Sequence, residues 1–303
     1  MGTQTRAKAG EVTNQSKAIF NEIIIHHQFF NNFVVHYLLY KPHSMKKLII
    51  TFATCLALFS CGSTETEKDA TASNAEIQKR NNHTLVFFDK TQSVNVDDSF
   101  VRTKYQSALK ALIDQNIQTE GDVFEIYYIH ENTAKAKVLS LSARTTKESS
   151  EGLNATDLEA AQTNYDMSIG KERRMILDLA VQKMLEKNAG ASNLETNISA
   201  SIPLLSEALN GKKDVKAFYF SDMVESLKNG RDFHKIAPIS HDQAEEWAKA
   251  DAGNYKLYNL TNAQISIILP FSPNSSSKEN NPNVTDYWKV YFEALGVSGV
   301  KEI

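Results

Sequence analysis

The stretch Thr84-Leu85-Val86-Phe87-Phe88-Asp89-Lys90-Thr91-Gln92-Ser93 decides how this chain folds. Leu85 to Phe88 are apolar without alternation, so the run reads as a strand buried on both faces, the kind found in parallel sheets. It stops at an acid, Asp89. Thr91 and Ser93 then repeat oxygen-bearing side chains at i+2 and i+4. A loop over a strand end can turn alternate residues toward one point.

Outward from this strand, Val101, Tyr105, Ala108, Leu109 and Leu112 form the stripe of an amphipathic helix from Phe100 to about Gln115. Val123 to Ile129 and Lys137 to Leu141 are β-prone and joined by a short polar link, which predicts an antiparallel hairpin. Residues 144–170 are polar and suggest no element. Lys171 to Lys187 reads as a helix with Ile176, Ala180, Val181 and Met184 on one side. Ser199 or Ser201 can cap a helix with Pro203 in its first turn, ending at Leu209. Val215 to Phe220 is a second apolar strand, closed by Ser221-Asp222.

Further on, Ser240-His241-Asp242-Gln243 matches a capping box. Ala263 to Leu269 is the last strand expected, and Trp288, Tyr291, Phe292 and Leu295 mark a C-terminal helix closed by Gly296. The alternation predicts one α/β domain over residues 83–303. Its expected architecture is a doubly wound, mostly parallel central sheet, Rossmann-like, with one antiparallel edge strand and helices on both faces.

The N-terminal segment reads differently. Met45-Lys46-Lys47 precedes Leu48–Phe59, a mostly apolar run of 12 residues, and Leu58-Phe59-Ser60-Cys61-Gly62 ends it. A helix crossing a membrane needs about 20 residues, so this is the shape of a secretory signal. The ending resembles the lipobox of bacterial lipoproteins, which implies a signal peptide over 45–60 and acylation of Cys61. Because such signals work at an N-terminus, translation is expected to start at Met45, with residues 1–44 as upstream sequence. Residues 61–82 are rich in Ser, Thr, Glu and Lys and read as a flexible tether. The expected location is the bacterial cell envelope, held by lipid alone.

Charge narrows the function. The chain holds 33 Lys+Arg and 36 Asp+Glu, a net −3. Residues 1–61 hold six of those bases and two of the acids, which leaves 27 and 34 for the remainder, a net −7. An acidic body is not drawn to nucleic acid or to anionic lipid surfaces. The only cysteines, Cys55 and Cys61, precede the domain, which excludes a disulfide scaffold or a structural Cys-zinc site there.

In an open parallel sheet, ligands bind outside the carboxyl ends of strands. Asp89 and Asp222 stand at two such ends, and Glu195-Thr196-Asn197-Ile198 is a polar loop between them in sequence. With these residues in place the chain resembles the von Willebrand factor A domain. That family carries Asp-x-Ser-x-Ser after its first strand, a Thr in a middle loop and an Asp after its fourth strand, which together form a metal-ion-dependent adhesion site. The resemblance implies a metal set of Asp89, Thr91, Ser93, Thr196 and Asp222. Three departures stand out: Thr91 for the first Ser, Glu195 and Asn197 around the loop Thr, and Met223 after Asp222 where Gly is common.

Two carboxylates and three hydroxyls are hard oxygen ligands that suit Mg²⁺ or Mn²⁺ better than Ca²⁺. The implied function is capture of a protein partner, whose acidic side chain completes the coordination. One rival is a Mg²⁺-dependent phosphohydrolase. Enzymes of the haloacid dehalogenase type need a second acid two residues after the nucleophile. Thr91 occupies that place and cannot transfer protons near neutral pH. No phosphate loop or nucleophile elbow is present, so the domain is expected to be non-enzymatic. A second rival is an interaction scaffold without metal. Glu225 reads as a solvated or capping acid, and residues 272–283 as a loop on the same rim as the site.

Overall fold

The computed structural model describes residues 80–187 and 194–303. The signal segment, Cys61 and nearly all of the tether lie outside them. Six strands form one sheet: β1 (Asn82–Asp89), β2 (Val123–Ile129), β3 (Lys137–Ser142), β4 (Asp214–Phe220), β5 (Gln264–Ile268) and β6 (Val300–Glu302). Their order is β3-β2-β1-β4-β5-β6, and every pairing is parallel except β2 with β3. The helices are α1 (Ser99–Asn116), α2 (Ala155–Leu185), α3 (Ile202–Leu209), α4 (His241–Ala252) and α5 (Pro282–Ala294).

Strand β1 is central and buried from both sides, as its unbroken apolar run requires. Leu85 and Phe87 pack into a core with α3, α4 and α5, while Val86 and Phe88 pack into a second core with α1 and α2. Alternate residues thus hold the two helical layers. Each such side chain contributes roughly 1.5–3 kcal/mol by burial. Phe87 stacks between Tyr127 at 5.3 Å and Tyr219 at 4.8 Å, which keeps β2, β1 and β4 in register.

Three features differ from the sequence reading. Helix α2 begins at Ala155, so the polar stretch before Lys171 is largely helical. Its exposed Leu158 and Met167 hide the period, since only Ile169, Ile176, Ala180 and Met184 are buried. Polar anchors hold it instead. Asn154 caps its first turn, Tyr165 Oη donates to the Gln118 carbonyl at 2.5 Å, and Arg173 Nε donates to the Ile117 carbonyl at 2.6 Å.

Strand β6 was not expected: three residues carry no periodicity, and pairing with β5 makes the strand. Ser199 and Ser201 are not side-chain caps of α3. Residues 199–201 form a 3₁₀ turn leading into it, Ser199 Oγ donates to Glu225, and Ser201 Oγ donates to the Ile198 carbonyl. At α4 the cap forms, since Ser240 Oγ accepts from Gln243 N, while the return bond of the box shifts by one residue: Gln243 Oε1 accepts from Ile239 N and not from Ser240 N.

Candidate metal centre

Strands β1 and β4 are adjacent and parallel, and Phe88 lies opposite Phe220. The residues that follow, Asp89 and Ser221-Asp222, therefore leave the sheet side by side. This is also where the strand order reverses, the crevice in which doubly wound sheets bind ligands.

Asp89 is 2% exposed and fixed by three donors. Its Oδ1 accepts from Thr91 N at 2.9 Å and from Thr91 Oγ1 at 2.5 Å. Its Oδ2 accepts from Ser221 Oγ at 2.6 Å. Ser93 Oγ stands 3.2 Å from Thr91 Oγ1, so the alternate residues of the loop do converge. Asp222, 6% exposed, accepts from Val224 N at 3.0 Å. Burial, and then the charge of Asp222, push Asp89 up to about 7. Burial also raises Asp222, while the Val224 N–H and the Ser93 hydroxyl oppose the rise. Two neighbouring buried carboxylates that resist ionising together are short of positive charge.

Thr196 is held differently. It is 1% exposed, and its backbone exchanges two hydrogen bonds with Ser226, at 3.1 and 3.0 Å. Among the described residues no hydrogen bond joins its side chain to the other four, so it reaches them only through the loop from Asp222 to Ser226. Glu225 in that loop is 1% exposed, which corrects its reading as solvated. It is a capping acid. Its carboxylate accepts from Ile198 N at 2.6 Å and from Ser199 Oγ at 2.7 Å, which holds the turn after Thr196.

The backbone around both acids is bolted to the helices. Lys90 Nζ donates to the carbonyls of Lys183, Met184 and Glu186 at 2.9, 2.6 and 2.7 Å, which satisfies the open carbonyls at the end of α2. Burial brings this ammonium down to about 8, and the ring of Tyr128 lies 4.7 Å from it. Met223 takes φ +62°, the left-handed conformation that Gly adopts without strain. Trp288 Nε1 donates to its carbonyl at 2.7 Å and Ser221 Oγ accepts from its N–H at 2.9 Å, so the fold imposes the turn without glycine.

Two participants escaped the sequence reading. Ser221 was visible only as the end of a strand. Tyr105 was visible only as part of a helix stripe, yet it is 1% exposed with an unpartnered hydroxyl, and the charges of Asp89 and Asp222 add to burial in raising it. An orphaned hydroxyl beside two crowded carboxylates, with Thr91 and Ser93 above them, fits a small hydrated cation. The donor set is all oxygen, as Mg²⁺ and Mn²⁺ require. Among the described residues no group of three or more His, Cys, Asp or Glu gathers, so a site here relies on hydroxyls. Beside Ser93 and Asp222 opens a cleft of about 600 Å³, lined also by Phe233, Phe271, Lys278 and Val284, with part of the 272–283 loop on its rim.

No protein-family model matches the chain, and no curated protein matches it in sequence. Among solved structures it is similar to manganese-loaded TRAP protein of Plasmodium vivax, at 13% identity and TM-score 0.31 over 67% of this chain and 62% of that one. It is similar to a von Willebrand factor type A structure from Catenulispora acidiphila, at 14% identity and TM-score 0.29 over 74% and 39%. It is also similar to proximal thread matrix protein 1 of the mussel byssus, with a zinc-occupied metal-ion-dependent adhesion motif, at 12% identity and TM-score 0.29 over 71% and 46%. The chain thus spans less than two thirds of each of these structures. At such scores the likeness decides nothing, and the von Willebrand factor A-like architecture rests on this chain's own strand order and antiparallel edge.

Proposed function

We propose that the domain is a non-enzymatic binding module. It holds one divalent cation, Mg²⁺ or Mn²⁺, at the ends of β1 and β4 and captures a protein partner through an acidic side chain. The observation that carries this reading is the pairing of Asp89 and Asp222, two buried carboxylates on adjacent strand ends, neither in an ion pair among the described residues; Lys90 is near enough to feel Asp89 but spends its donors on the carbonyls of α2. Asp89, Thr91, Ser93 and Asp222 would hold the ion, with Thr196 carried to it by the loop from Asp222. A bound cation would offer an incoming carboxylate an electron-poor centre. The chain's part is to keep the ligands aimed and dry: Ser221 orients Asp89, Lys90 fixes the first loop, and Trp288 fixes the second.

Calorimetric titration with Mg²⁺ and Mn²⁺ tests the site. Saturable binding that Asp222→Ala abolishes is the expected result. Absence of saturable binding in the parent would leave the third reading, a scaffold without metal, and binding that survives Asp222→Ala would place the ion away from the ends of β1 and β4. Turnover of a phosphate ester that depends on Asp89 would favour the phosphohydrolase reading, against which Thr91 speaks as the wrong residue for proton transfer.

We further propose that Cys61 carries a lipid and tethers the module to the bacterial cell envelope. No described helix is long and apolar enough to cross a membrane. Labelled fatty acid incorporated into the native protein, and lost in Cys61→Ser, tests this anchor.

A further inference from the structure

A second cavity lies on the face of the sheet covered by α4 and α5. It measures about 540 Å³ and is lined by Ser199, Glu225, Arg231, Asp251, Tyr255 and Tyr291, among others. Its polar groups are unevenly satisfied. Asp251 Oδ2 accepts from Arg231 Nε and Nη2 at 2.9 and 2.6 Å and from Tyr287 Oη at 2.9 Å, so this acid has its counter-charge. Glu225 has neutral donors only, Ile198 N, Ser199 N and Ser199 Oγ, and no cationic side chain pairs with it among the described residues. Tyr291, fully buried, lines the same cavity; its hydroxyl has no hydrogen bond of good geometry, and the Ser199 hydroxyl near it is committed to Glu225. The rings of Tyr255 and Tyr287 flank that of Tyr291, with centroids 6.3 and 5.7 Å away.

A buried carboxylate without a cation, an acceptor oxygen without a donor, and tyrosine rings around an open volume all ask for the same ligand. It must bring positive charge, several N–H donors and an apolar stem. We propose that this cavity is a binding site for a primary alkylammonium group, of the kind carried by a polyamine or a lysine side chain, with its nitrogen between Glu225 and Tyr291. Aromatic faces favour such a cation, and an ammonium offers three donors where the cavity supplies acceptors. Arg231 does not fill this role, because its guanidinium is committed to Asp251 and lies 4.5 Å from the ring of Trp247. The site is separate from the metal cluster, and neither proposal requires the other.

The test uses cadaverine as the probe, with 1-pentanol as the uncharged control, titrated into the full protein by calorimetry and by NMR of the tyrosine rings. Saturable binding of cadaverine is expected, with 1-pentanol at least about tenfold weaker. Glu225→Gln keeps the shape and removes the charge, and should weaken cadaverine by about tenfold or more. Tyr291→Phe removes the free acceptor and should weaken it severalfold. Asn254→Trp changes an exposed residue of the lining that makes none of these hydrogen bonds, and should block entry in a protein that melts as the parent does. No saturation up to about 10 mM, or equal affinity in the parent and in a folded Glu225→Gln, would overturn the proposal. So would equal affinity for 1-pentanol.

Discussion

Ser221 Oγ donates to Asp89 Oδ2 at 2.6 Å, so the residue that follows β4 directly orients the acid that ends β1. The same oxygen accepts from Met223 N at 2.9 Å. One small hydroxyl therefore sets both halves of the candidate centre. Ser221→Ala leaves a buried carboxylate oxygen short of its donor and a buried N–H short of its acceptor. The expected cost is about 1–3 kcal/mol in urea unfolding, together with weaker cation uptake measured by calorimetry.

Asp222→Asn should separate stability from binding. The change removes one of two crowded buried charges and keeps an acceptor for Val224 N. The cation-free protein should become more stable near neutral pH, by roughly 1 kcal/mol, while Mg²⁺ binding falls steeply. Thermal melts with and without EDTA read both effects. In the parent protein, cation at a hundredfold excess over its Kd should raise stability by about 2.7 kcal/mol, and EDTA should remove that gain.

Glu225 makes stability depend on pH in a defined direction. Burial pushes it up to about 7 from the ordinary 4.5, so the folded protein holds this proton more tightly than the unfolded chain. The unfolded chain then releases protons first, and stability falls as pH rises from about 4.5 to about 7 before levelling. Glu225→Gln keeps acceptors for Ile198 N and Ser199 N and should flatten that fall. The fall that remains belongs to Asp89 and Asp222 together, both raised by burial, and should vanish with saturating Mg²⁺. Urea midpoints across pH 5–8, a range set by these shifts, measure it.

Lys90→Met keeps most of the stem and removes the donors that close the end of α2. Three carbonyls lose a charged partner, and the expected loss is about 2–4 kcal/mol. Hydrogen exchange should show residues 183–187 opening before the rest of the helix. Retained protection there would mean that apolar packing of Met184, not Lys90, holds the helix end.

Most of the sheet was legible because β1 is apolar without a break from Leu85 to Phe88, β4 is apolar but for Lys216 from Val215 to Phe220, and both run on into acids. The hairpin and the cap at Ser240 were equally plain, since both depend on neighbours in sequence. The full length of α2 was not, because its first half is held by polar bonds from Tyr165 and Arg173 to the end of α1, which leave no hydrophobic period. Strand β6 exists only through its pairing with β5. At the site, alternate spacing revealed Asp89, Thr91 and Ser93, but not Ser221 or Tyr105, whose importance comes from what stands across from them. The turn at Met223 was hidden for a related reason: a residue poorly suited to left-handed backbone is held in it by Trp288, 65 positions away in sequence.

The margins of the sheet have a consequence for how copies of this protein meet. On one side β3 is short, polar at Lys137, Ser140 and Ser142, and breaks register against β2 near Ile126 and Tyr127. On the other, β6 offers three residues, with Lys301 and Glu302 in solvent. Neither border gives a foreign strand a long, flat, greasy template to zip onto. Fibre growth by end-to-end sheet extension is thereby discouraged, and crowding many copies at high density need not drive them into amyloid.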